Sequence, residues 1–171
     1  WNTEFPSYVI AAKELGQTAV GLADKGFTYG LIELYKAAHK HDIKPILGLE
    51  AYCAVRTRHD KESGIDSKRY PLVLLAENQE GYENLLQLAT KAALEGMYYK
   101  PRVDDELLKE HGKGLIALTG PISGMIPQAA LAEDEERIKE FVEKYQSFFG
   151  KENFYFELME LPNVTGQIEV N

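Results

Sequence analysis

Residues 17–53, QTAVGLADKGFTYGLIELYKAAHKHDIKPILGLEAYC, decide the fold, because they hold a complete strand, turn, helix, strand unit. Residues 18–22 are a short apolar run, and Ala23-Asp24-Lys25-Gly26 ends it with turn chemistry. A helix is expected from about Tyr29, since Leu31, Leu34, Tyr35 and Ala38 recur at the i, i+3, i+4, i+7 spacing of one face. The polar cluster at 39–42 stops it. Pro45 opens a second strand over residues 46–52, at a position where proline is tolerated. A helical crossover of this length returns the chain to the same end of the sheet, so the two strands are expected to be parallel. Their carboxyl ends then share a rim. Asp24 and Glu50 come near each other there, where α/β folds build their sites.

Outward from this unit the alternation continues. Upstream, Pro6-Ser7 starts a helix that Gly16 terminates. Downstream, residues 56–69 carry five basic side chains, Arg56, Arg58, Lys61, Lys68 and Arg69, among Asp60, Glu62 and Asp66. A solvated loop is the preferred reading and a phosphate-contacting loop the alternative. Residues 70–76, YPLVLLA, are too continuously apolar for a half-exposed strand and are expected to form a buried parallel one. Asn78 caps a helix that runs to Gly96. In the MYYKPRV loop, 97–103, the tyrosines either pack on a neighbouring element or stack on a base, the first being preferred. Asp104 caps a short helix to His111, residues 115–119 form a strand, and Gly120-Pro121-Ile122-Ser123-Gly124 turns at its end. Residues 135–149 read as an amphipathic helix and 154–158 as the last clear strand, before a turn-rich stretch at 162–171. Five strands alternating with helices, without a short hairpin signal, mean α/β with parallel strands.

The composition is that of an ordinary globular chain, 44% hydrophobic and 27% charged, and 171 residues suit a single domain or a fragment of one. A net charge of −8 argues against direct nucleic-acid binding by this segment alone, because phosphate binding needs Lys and Arg in excess on one face. Cys53 is the lone cysteine, so no internal disulfide forms and a reducing, cytoplasmic setting is expected. Cys53 itself reads as a core thiol rather than a nucleophile. No membrane span or signal peptide is legible. The chain opens on Trp1, which suggests a fragment or a processed or altered chain.

The strings GLADKGFTYG, YKAAHKHDIKPILGLEAYCA, RYPLVLLAENQEGYENLLQL, LEGMYYKPRVDDELL, GLIALTGPISGMIP and FFGKENFYFEL follow one another over nearly the whole chain. Together they resemble the N-terminal PHP (polymerase and histidinol phosphatase) domain of bacterial DNA polymerase III alpha subunits. The resemblance implies a distorted (βα)7 TIM-like barrel, here partial, lacking the first strand and the C-terminal units. It also implies a carboxyl-end rim that, in active members, holds divalent metals through His, Asp, Glu and sometimes Cys for phosphoester cleavage, taken here as 3′–5′ proofreading.

The chain departs from that pattern at its ligands. WNTEFPS has no HxH strand, Lys25 stands where the family commonly has the His of TDHG, and Pro71 and Pro121 replace a His and a Cys. Leu161 falls roughly where another His is expected. A protonated lysine cannot ligate a cation. Of the metal constellation Asp24 and Glu50 remain, as vestigial ligands. Two carboxylates can hold a loosely hydrated Mg²⁺, Mn²⁺ or Zn²⁺ but not a multi-metal hydrolytic centre, so no resident cofactor is expected. His39, His41, His59 and His111 fall at helix ends or in the charged loop, away from the family's ligand positions. Lys25 is expected to replace the metal charge and satisfy both Asp24 and Glu50.

The implied function is a PHP domain of a replicative DNA polymerase with a degenerate metal site and a structural or docking role. Whether the segment is an enzyme stays open; the alternative is a metal-dependent phosphoesterase or 3′–5′ exonuclease whose missing ligands lie outside the chain. Implied partners are the remainder of the alpha subunit and a proofreading exonuclease subunit. Unpaired strand edges add a dimer to these.

Overall fold

The computed structural model describes residues 5–159, so the turn-rich stretch at 162–171 and Leu161 lie outside the described residues. Among the described residues six α-helices and six strands follow in order: α1 (Phe5–Glu14), β1 (Ala19–Lys25), α2 (Leu31–Lys40), β2 (Lys44–Ala54), β3 (Arg69–Ala76), α3 (Gln79–Leu94), β4 (Arg102–Val103), α4 (Asp105–Glu110), β5 (Leu115–Leu118), α5 (Met125–Leu131), α6 (Glu135–Phe149) and β6 (Phe154–Tyr155), with a 3-10 turn over Lys151–Asn153. They form a mixed α/β fold around one sheet of order β1-β2-β3-β5-β6, with β4 pairing β2 off this path.

The β1–α2–β2 unit forms as its spacing predicts, and β1 pairs β2 in parallel from Ala19↔Lys44 to Lys25↔Glu50. Leu31, Leu34, Ala37 and Ala38 are the buried face of α2, so the expected face is corrected at one residue: Tyr35 is exposed and Ala37 is buried in its stead. Asn78 and Asp104 accept hydrogen bonds from Gly81 N and Leu107 N, capping α3 and α4.

The expectation of parallel strands throughout is corrected at one element. β3 runs antiparallel to β2, and β5 antiparallel to β3, whereas β4 is parallel to β2 and β6 parallel to β5. One reversed strand, β3, accounts for both antiparallel ladders. The physical reason is the connection: residues 55–68 hold no helix, and a helix-free loop returns the chain alongside the strand it left. The continuous apolar run in β3 reflects burial between β2 and β5, which an antiparallel centre achieves as well as a parallel one. Pro71 is tolerated because the β5 ladder begins only at Val73.

Two smaller corrections concern boundaries. β1 continues through Ala23, Asp24 and Lys25, and the turn starts at Gly26, whose φ of 75° suits glycine. Arg102–Val103 and α5 are elements too short to announce themselves by period. The core is a large cluster centred on Leu49, Leu74, Leu85, Leu107, Leu115 and Tyr145, and a smaller one built from Val9, Val20, Leu34 and Ile43.

Candidate functional site at the sheet rim

Because β3 is reversed, its beginning lies beside the ends of β1 and β2. There a groove of about 720 Å³ is lined by residues of β1 and β2 (Lys25, Glu50, Tyr52), of the start of β3 (Ser67 to Pro71) and of the turn after β5 (Pro121, Ser123), with Gln128 on α5. Partners across a parallel ladder share a face, so Lys25 and Glu50 leave the sheet on the same side, and Lys25 Nζ lies 3.6 Å from Glu50 Oε1. Lys25 is 72% exposed and Glu50 15%, which makes the contact a loose, solvated ion pair.

Asp24 is one residue earlier and points to the other face. Its Oδ2 accepts a 2.7 Å hydrogen bond from the backbone N–H of Gly30, just before α2. A Cβ at Gly30 would lie 2.8 Å from Leu22 and from Phe5 and 3.0 Å from that same oxygen, so glycine is what lets the loop close on Asp24. The two carboxylates expected to act together are thus separated by the sheet. Lys25 serves Glu50, and the N–H that opens α2 serves Asp24.

A third carboxyl approaches the rim from the segment after β6. Glu157 donates its backbone N–H to Thr119 Oγ1 at 2.9 Å, while its Oε2 is buried without a hydrogen-bond partner among the described residues. Burial first, and the charge of Glu50 second, push its pKa above the ordinary glutamate value. Nothing in the local sequence FYFELM marks Glu157 as different from a solvated acid.

The charged segment after β2 is not a free loop. Arg102 is fully buried, and its guanidinium donates to the carbonyls of Gly96, Asp66, Arg58 and Asp60 at 2.8–3.1 Å, with Tyr98 over its face. Arg58 bridges Glu95, Asp104 and Glu106, and Arg56 pairs Asp66 and Glu62. Hydrogen bonds from these guanidinium groups hold Asp66 and Glu95 below the usual carboxylate range. The preferred reading as a loop open to solvent holds for most of its residues, and Arg102 pins it to the fold from below: buried carbonyls need donors, and one arginine supplies four of them. Tyr98 packs on Arg102, in line with the packing alternative, while Tyr99 is exposed at φ 59°.

The remaining candidates fall where the sequence puts them. Cys53 is buried with its thiol pushed up to about 12 by desolvation, and is inert. His39 lies in the last turn of α2, and His41 and His111 close α2 and α4. Among the described residues no group of three or more His, Cys, Asp or Glu side chains converges on a point that could hold a metal ion. A lysine ammonium at the Glu50 carboxylate does not fit a divalent cation in the same place.

Comparison with known proteins adds an independent line. A family model described as PHP domain matches residues 2–160. The chain is 42% identical over 153 residues to DNA polymerase III subunit alpha of Treponema pallidum, covering 89% of this chain and 13% of that protein. It is 40% identical over 156 residues to the Aquifex aeolicus protein of the same name, covering 88% and 13%, and 41% identical over 142 residues to that of Thermus aquaticus, covering 82% and 12%. The chain thus spans 12–13% of the length of these relatives.

Proposed function

Since this chain belongs to the PHP domain family and is homologous to DNA polymerase III alpha subunits, we propose that it serves a cytoplasmic replicative polymerase as scaffold, not as a nuclease. In this reading residues 1–171 are one domain, or part of a partial (βα)7 barrel, and the rim braces the polymerase core. A proofreading exonuclease subunit is a partner for its outer surface. DNA synthesis belongs to the rest of the alpha subunit. Divalent Mg, Mn or Zn binds at most weakly, through Glu50 or Asp24 singly.

The observation that carries this reading is the Lys25–Glu50 pair. The family resemblance implies divalent cations at this rim in active members, and here a side-chain ammonium supplies positive charge beside Glu50. The alternation of side chains along β1, with Asp24 already engaged by the Gly30 N–H, supports the same reading. Elemental analysis of the purified protein, with a nuclease assay in added Mn²⁺, tests it. Substoichiometric metal and no turnover are expected. A full equivalent of zinc or manganese, with turnover abolished by Glu50→Gln, would establish the phosphoesterase alternative instead.

A further inference from the structure

The helix-covered face of the sheet has a gap, away from the rim. β1 and β2 are joined by α2, and β3 reaches β5 by way of α3 and α4, but residues 55–68 between β2 and β3 hold no helix. A groove of about 400 Å³ lies over that strand pair, floored by Pro45 and Leu47 of β2 and Ala76 of β3, and walled by Ile32 and Tyr35 of α2 and Tyr82 of α3. A helix about 10 Å across fills roughly that volume with each turn of about 5.4 Å, so the groove admits about one turn. Its α2 wall is uncovered: Ile32 is 50% and Tyr35 44% exposed, and the Tyr35 ring rests on that of His39, centroids 4.1 Å apart. The two sides carry opposite charge. Lys36, Lys40 and Lys44, on and just after α2, are exposed without a carboxylate partner among the described residues, and they outnumber the exposed acids of that side, Glu33 and Asp42. On the α3 side Glu77 accepts from the Asn153 amide at 3.4 Å and Glu83 from the Gln79 amide at 3.0 Å, neither meeting a cation among the described residues, while Glu80 is matched by Lys113.

We propose that a second copy of this chain docks here, α2 of each copy lying in the groove of the other about a two-fold axis. The patch is its own complement. Ile32 and Tyr35 are at once a wall of the groove and an exposed apolar pair at i, i+3, able to fill the counterpart groove, as an isologous contact requires. A two-fold rotation that seats α2 in the opposite groove sets the Lys36 and Lys40 side of one copy against the Glu77 and Glu83 side of the other. Both sets of unmatched charges are then answered, once in each direction. The apolar floor supplies the burial and the charged flanks set the register. An unrelated amphipathic helix would need, beside two large apolar side chains, an arrangement of charges that α2 already carries. The open edge of β1 is not among the residues that line the groove.

This contact stands apart from the scaffold reading, which turns on metal content and turnover. Sedimentation equilibrium of the full chain at low salt, from about 1 µM to about 1 mM, should show monomers in equilibrium with dimers. Ile32→Gln together with Tyr35→Gln should weaken the dimer at least about tenfold. Lys36→Glu with Lys40→Glu, and separately Glu77→Lys with Glu83→Lys, should each weaken it about tenfold at low salt. Mixing these two charge variants in equal amounts should restore dimers, because every altered charge then faces its opposite again. Restoration on mixing is a result that a misfolded variant does not give, and melting temperatures report folding for each. Lys139→Gln, on α6 and outside the groove, should change nothing. Strand pairing along β1 is indifferent to all of these side chains. A monomer across the whole range, a dimer unmoved by the double glutamine variant, or charge variants that associate no better mixed than alone would overturn the proposal.

Discussion

Lys25 and Asp24 are neighbours in sequence with opposite duties, and their substitutions separate them. Removing the ammonium by Lys25→Met breaks an exposed pair and should lower stability by no more than about 1 kcal/mol. Removing the acceptor by Asp24→Ala leaves the Gly30 N–H without its charged partner and should cost about 2 kcal/mol. Chemical denaturation orders the two; a larger loss for Lys25→Met would show that the ion pair, not the cap, holds the rim. His111 gives a second residue-scale prediction. It is largely buried, with Nδ1 3.2 Å from Asn84 Oδ1, Nε2 without a hydrogen-bond partner among the described residues, and Glu110 and Lys91 nearby. Burial lowers its pKa below the ordinary 6.5, the attraction of Glu110 only partly opposing it. The unfolded chain therefore binds the proton more readily, and stability is lost as pH falls from 6.5 toward the folded value. His111→Gln should flatten the dependence of melting temperature on pH in that window, and an unchanged slope would assign it to other groups.

Elements were legible where their period was long. The existence of α2, α3 and α6, and the caps Asn78 and Asp104, follow from spacing and residue type, whereas the α2 face does so only in part, Tyr35 lying exposed. The direction of β3 was hidden, because strand orientation is set by what lies in the connection, and a charged 14-residue segment reads equally as an insertion within a crossover or as a return loop. Arg102 was hidden for a related reason: its four acceptors are backbone carbonyls, and carbonyls leave no trace in a sequence. At the rim, the absent histidines and the presence of Lys25 were legible, but the face on which each acid points was not, since it depends on β1 running on through Lys25. The packing of α3 on the loop before β5 yields a prediction at this scale. A Cβ at Gly81 would lie 1.7 Å from the carbonyl oxygen of Gly114, a backbone atom that cannot turn aside. Gly16 has a φ of 76° with nothing within 4 Å of its would-be Cβ. Gly81→Ala should therefore cost more than about 3 kcal/mol and Gly16→Ala only about 1 kcal/mol, read from denaturant midpoints. Similar costs would mean that α3 slides freely on that loop.

At the scale of the molecule, Leu22 and Leu47 pack against both apolar clusters and join the α1–α2 side to the rest. The sheet they stabilise is open. Among the described residues β1 has a strand on one side only, and β6 ends the path at the other. β1 is seven residues long, and on its free flank Tyr8 donates its hydroxyl to Gly21 O, which blunts one position of the edge. Such an edge presents unpaired N–H and C=O groups to any chain that can add a strand. The chain spans 13% of the Treponema pallidum relative; taken alone, it has only copies of itself to pair with that edge. Self-association is therefore expected: sedimentation equilibrium between about 1 and 100 µM should show a rising mass. Amide exchange in β1 should slow as the mass rises, because strand addition protects the backbone it pairs. A constant monomer mass, with β1 amides already protected at the lowest concentration, would mean that the edge is covered within the chain itself, and the dimer would have no reason to form.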